Sequence, residues 1–113
     1  MRFVVFIITV AALASCGGSS NRAPAGIQFA QGPISRACLA ADRRAASQAL
    51  CECVQAVANS ELSAREQSRA AEFFADPQAA QDTRQSDNPG SERFWTRYRA
   101  FADRAEQTCR PVA

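Results

Sequence analysis

The sequence predicts an all-α domain, a small bundle of four or five short helices stapled by disulfides behind a flexible N-terminal tether. Three observations predict it. From Ile34 onward Ala is abundant and β-branched residues are scarce, which favours helix. Apolar residues recur three and four positions apart, whereas no alternating strand pattern and no internal repeat is present. From Cys16 onward, 41 apolar residues include 21 Ala and 5 Cys, leaving 15 larger apolar side chains. Such a core is thin, so cross-links are expected to matter.

The first segment is read as an export signal. Met1 and Arg2 form a one-charge start, and residues 3–13 are apolar except for Thr9. That run is too short to span a bilayer, which takes about 20 residues, but suits the apolar region of a signal peptide. It ends in Leu13-Ala14-Ser15-Cys16, which resembles the lipobox of bacterial lipoproteins. The resemblance implies cleavage of residues 1–15, diacylglycerol on the Cys16 thiol and acylation of the new amine. Several acyl chains on one residue make a stable anchor, at about 0.8 kcal/mol per buried CH₂. The expected location is the bacterial cell envelope, lipid-anchored and facing the periplasm. Gly17, where an Asp would favour inner-membrane retention, leans the expectation to the outer membrane.

Residues 16–33 read as the lipidated Cys and a linker. Between 17 and 33 stand four Gly and two Pro, with Ile27 and Phe29 as apolar exceptions suited to packing on the domain or touching the membrane. A flexible chain of that length reaches about 20–25 Å.

The helical domain is expected over residues 34–109, with 110–113 as a tail. Ser35 is positioned to cap a first helix through about Arg44, with Ile34, Cys38, Ala41 and Ala45 as its stripe. No Gly or Pro follows until after Leu62, so one long helix is a rival reading. A break near 45–47, with Ser47 as cap, gives a helical hairpin instead. The second helix then carries Leu50, Cys53, Val54 and Val57 on one face. Ser63 and Glu66 form a capping box for a third helix bearing Ala70, Phe73 and Phe74. Asp76-Pro77 ends it and opens a fourth over about 77–84. Residues 85–91 are polar and read as a loop. Ser91 caps a last helix over about 92–109, whose stripe is Trp95, Tyr98, Ala102, Ala105 and Cys109, with Phe94 and Phe101 beside it.

The cysteines sharpen this picture. Five is an odd number, but assigning Cys16 to lipid leaves Cys38, Cys51, Cys53 and Cys109, an even set suited to two disulfides in an oxidising compartment. Zinc would want thiolates in closely spaced pairs, which this spacing does not offer, and no metal or cofactor is expected. On a helix Cys51 and Cys53 lie about 200° apart and would bond to different partners. The preferred pairing is Cys38–Cys51 with Cys53–Cys109, and the swap remains open. A single long helix would hold Cys38 and Cys51 about 20 Å apart and forbid the first bond. The third arrangement, a strained Cys51–Cys53 pair, would make a thiol-disulfide redox protein.

Chemistry is otherwise sparse. All 13 basic residues are Arg, against 11 acidic ones, and His is absent, which removes Ser-His-Asp and Cys-His nucleophile systems. No phosphate loop, dinucleotide fingerprint or metalloprotease motif occurs. The acidic residues are scattered and several stand near an Arg, as Glu72 does Arg69 and Asp103 does Arg99. No catalytic residue is assigned and the chain is not expected to be an enzyme. The last helix interleaves Arg93, Arg97, Arg99 and Arg104 with Phe94, Trp95, Tyr98 and Phe101. This pattern reads as an aromatic core face with a solvated Arg face. Its other reading is a surface for an anionic envelope component or a partner protein. Nucleic acid is not an expected partner of an exported chain.

A further resemblance covers about residues 33–109. It rests on Ala37-Cys38, Leu50-Cys51-Glu52-Cys53-Val54-Gln55-Ala56-Val57, Gln67, Arg69-Ala70-Ala71, Phe73-Phe74, Asp76-Pro77, Gln81-Asp82, Arg84-Gln85-Ser86-Asp87 and Phe94-Trp95 with Tyr98. These resemble a family of small exported proteins of marine alphaproteobacteria whose members often carry the automatic name "arginine transporter". The Cys pattern is its most specific part. The resemblance implies a link to arginine transport, as an accessory to a transporter, and brings no catalytic residues with it. The leading expectation is a lipid-anchored envelope protein with a structural or protein-interaction role, whose partner is another envelope protein or component. Arginine binding is the alternative.

Overall fold

The computed structural model describes residues 26–41 and 46–113. The proposed signal peptide, Cys16 and most of the linker lie outside the described residues, as does Ala45. Among the described residues the chain is all-α, with α1 (Pro33–Ala40), α2 (Gln48–Glu61), α3 (Ala64–Ala75), α4 (Pro77–Arg84), α5 (Pro89–Cys109) and a closing 3-10 turn (Arg110–Val112). Helix α2 packs on α1 and α5, α3 on α1 and α4, and α4 on α5. Ile34, Val57, Leu62, Phe73, Phe94 and Phe101 form the middle of the core with the Cys53 and Cys109 sulfurs.

Local chemistry explains most helix boundaries. Ser47 Oγ accepts from the Leu50 N–H at 3.0 Å and starts α2. At α3 the capping box is complete: Ser63 Oγ accepts from the Glu66 N–H and Glu66 Oε1 accepts from the Ser63 N–H. The Asp76 N–H donates to the Glu72 carbonyl at 2.9 Å and closes α3, while Asp76 Oδ1 accepts from the Gln78 N–H and caps α4. With α2 starting at Gln48 and the Cys38 and Cys51 Cα atoms 5.6 Å apart, the single long helix is excluded.

Two starts differ from expectation, for one reason. Helix α1 begins at Pro33, with Gly32 as N-cap, and α5 begins at Pro89, with Asn88 as N-cap. Proline has no N–H to orphan and its fixed φ suits the first helical position. The Pro89-Gly90 pair, read as part of a loop, is the opening of a helix. Ser35 is therefore inside α1, where its hydroxyl accepts from the Gly32 N–H, and Ser91 is inside α5. Asn88 Oδ1 accepts from the Gly90 and Ser91 N–H groups instead. Helix α1 also stops at Ala40 rather than near Arg44.

The described end of the linker and the tail both rest on the domain. Ile27 packs on the core, and the Ala30 N–H donates to the Glu52 carbonyl at 3.0 Å. Phe29 remains 40% exposed. At the other end Val112 packs on the core beside α2.

The disulfides are Cys38–Cys51 and Cys53–Cys109, with Cα separations of 5.6 and 5.8 Å. Cys51 and Cys53 thus hold α1 and the end of α5 to opposite sides of α2. The bond imagined between Cys51 and Cys53 is absent, because the helix sends the two side chains in different directions. All four sulfur-bearing residues are buried.

A polar cluster crosses the core. Gln55, 1% exposed, accepts through Oε1 from the N–H groups of Ile34 at 2.7 Å and Ser35 at 3.0 Å. Backbone N–H groups can only donate, so the Gln55 oxygen faces α1 and its nitrogen faces away. Nε2 donates to Asn59 Oδ1 and to Gln67 Oε1. Gln67 Nε2 then reaches the Ala58 and Leu62 carbonyls at the end of α2. Among the described residues no buried side-chain polar atom lacks a partner.

Candidate functional site: an arginine-lined groove between α3 and α5

The first turns of α3 and the first half of α5 enclose an open groove of about 490 Å³. Helical spacing builds its walls. Arg65 and Arg69 stand four apart on α3, and Arg93 and Arg97 stand four apart on α5, so each pair shares a face. Gly90, Glu66 and Phe94 complete the lining. Phe94 is almost fully buried and is anchored edge-on to Phe73, with ring centroids 5.9 Å apart.

Two of the four guanidinium groups are held. The Arg69 guanidinium lies 4.5 Å from the Phe94 ring centroid and donates to Ser91 Oγ at 3.0 Å. A guanidinium over an aromatic face gains from the ring quadrupole. Arg97 Nε pairs with Glu66 Oε2 at 2.8 Å, and its terminal nitrogen also reaches the Glu61 carbonyl. Arg65 and Arg93 are exposed and make no ion pair or hydrogen bond with the described residues. The lining carries four Arg and one Glu, a formal charge of +3.

Only part of the expected Arg face comes together here. Arg93 and Arg97 line the groove. Arg99 stands with Arg84 and Trp95 around a separate depression, and Arg104 turns to Glu61 at 3.6 Å. The aromatic residues interleaved with them form the core face. Phe94 and Phe101 are buried, and Trp95 and Tyr98 are half-buried and stacked at 5.3 Å. Rings packed in this way present little free face for stacking bases. The two ion pairs anticipated from spacing, Arg69 with Glu72 and Arg99 with Asp103, do not form. Arg69 is drawn across to α5 by Ser91 and Phe94 instead.

The α3 half of the site was invisible to a helix-by-helix reading. Its signal was the i, i+4 pair Arg65 and Arg69, which carries meaning only once α3 is known to face α5. Among the described residues no three His, Cys, Asp or Glu side chains gather as a metal site, and no helix is long and apolar enough to cross a membrane. The geometry thus defines a disulfide-stapled helical domain with a concave cationic face between α3 and α5. Compared with protein-family models, curated proteins and solved structures, the chain gives no significant match.

Proposed function

We propose that this is a lipid-anchored envelope protein, held to the membrane through Cys16, whose small helical domain serves as a protein-interaction module on the periplasmic side. The observation that carries it is the cysteine accounting. Cys38, Cys51, Cys53 and Cys109 are used up in two buried disulfides, which leaves Cys16, in its lipobox-like setting, as the one remaining cysteine. Disulfides of this kind belong to oxidising compartments. An interaction role suits a domain whose clearest surface feature is an open charged groove, and no catalytic step is part of the proposal. The outer membrane is the favoured location.

The arginine-accessory reading draws no support from the groove. A guanidinium ligand would need converging carboxylates. The groove offers four guanidinium groups of its own and a single carboxylate that is already paired. The redox reading needed a Cys51–Cys53 bond, and both residues are committed elsewhere.

Fractionation of cells expressing Cys16→Ser tests the proposal. The native protein should partition with membranes and be released from them only by detergent. The variant should appear as uncut precursor or as soluble protein. A variant that fractionates and migrates as the native protein does would contradict the anchor.

A further inference from the structure

We propose that the groove between α3 and α5 is the docking site for an acidic peptide segment of a partner protein, gripped through its side-chain carboxylates. The inference deepens the interaction role proposed above and rests on it.

Charge segregation is the first ground. From Cys16 onward the chain holds 12 Arg and 11 acidic side chains, a formal charge of +1. The groove lining alone is +3, so the rest of that chain is −2. A concave face of one sign on a body of the other focuses the field toward an anionic ligand.

The second ground is the state of the four guanidinium groups. Arg69 is set in place by Ser91 and Phe94, and Arg97 by Glu66. Arg65 and Arg93 face the groove without partners among the described residues. Fixed and unmatched cations together give an anion both a seat and a reason to bind.

The third ground is that a carboxylate already sits there. Glu66 Oε2 lies 2.8 Å from Arg97 Nε, so the groove holds a carboxylate of the chain itself. The planar guanidinium fork matches that group. An open trench suits a strand of polypeptide better than an enclosed small molecule. A phosphate-rich bilayer fits worse, because the chain outside the groove carries net negative charge, which anionic headgroups repel.

The test uses the mature lipidated protein in neutral detergent micelles, with fluorescently labelled octaglutamate followed by anisotropy. The variant Arg65→Glu/Arg93→Glu is compared with Arg36→Glu/Arg110→Glu, which changes net charge equally at exposed sites outside the groove. Both groove substitutions fall in or near a first helical turn, where acidic residues are tolerated. A milder Arg65→Gln/Arg93→Gln variant guards against misfolding. The expected result is saturable binding that weakens with salt, loses at least about tenfold in the groove variants and stays within about twofold in the control. Three results would overturn the proposal: no saturable binding to the native protein, equal weakening in groove and control variants, or displacement of the peptide by phosphatidylglycerol vesicles or inorganic phosphate at lower concentration than unlabelled octaglutamate. Failure here leaves the anchor untouched, and an unlipidated Cys16 would leave groove binding untouched, so the two failures are distinguishable.

Discussion

The side-chain nitrogen of Gln55 donates to Oε1 of Gln67 at 2.7 Å, inside the core, while the Gln55 oxygen takes the first free N–H groups of α1. One amide on α2 therefore fastens α1 and α3 at once. An unsatisfied buried polar group costs about 1–3 kcal/mol. Gln55→Leu strands two backbone N–H groups and the Gln67 oxygen together, and should destabilise the domain by about 2–4 kcal/mol in urea unfolding. A loss below about 1 kcal/mol would mean that water replaces the amide without penalty.

The same amide dictates the residue at position 32. A Cβ on Gly32 would come within 2.7 Å of the Gln55 side-chain carbon and oxygen. The backbone there is extended, so space alone excludes a side chain. Gly32→Ala should cost about 1–3 kcal/mol, the range for overpacking a filled core. The double variant Gly32→Ala/Gln55→Ala should then cost less than the sum of the two singles, because removing the amide removes the clash.

The two disulfides should differ in weight. Cys53–Cys109 closes a separation of 56 residues and Cys38–Cys51 one of 13. Loop-closure entropy assigns about 4 kcal/mol to the longer and about 3 to the shorter. Thermal unfolding of Cys53→Ser/Cys109→Ser and Cys38→Ser/Cys51→Ser proteins checks the order, and the longer loop should prove the more damaging to lose. With Cys38, Cys51, Cys53 and Cys109 all in disulfides, alkylation under native conditions without reductant should label none of the four.

Helix α5 offers a test of its starting point. Asn88→Ala removes the side-chain cap and should cost about 1 kcal/mol. Ser91→Ala leaves that cap intact and removes only the Arg69 contact, so its loss should be a few tenths of a kcal/mol. Equal losses would place the cap where the sequence alone suggested it, at Ser91.

Much of the fold was legible because short-range chemistry decides it. Ser47, Ser63 with Glu66, and Asp76-Pro77 each carry a local signal, and each marks a real boundary. The opposed directions of Cys51 and Cys53 follow from helical geometry alone. What escaped was set by distant partners. Gln55 and Gln67 look like surface residues in sequence, and only the approach of α1 and the end of α2 turns them inward. Pro33 reads in sequence as the end of the linker and Pro89 as part of a loop, and both open helices. The groove lies between elements some 25 residues apart in sequence, so Arg65 and Arg69 gave no hint of Arg93 and Arg97.

The most direct test of the central claim is the intact mass of native protein extracted from its membrane, taken without reductant after thiol alkylation. The account predicts a chain lacking residues 1–15, heavier by acyl and diacylglycerol groups on Cys16, lighter by four hydrogens for two disulfides, and carrying no alkyl label. A chain that retains residues 1–15, or one with an alkylated Cys16 and no lipid, would contradict it.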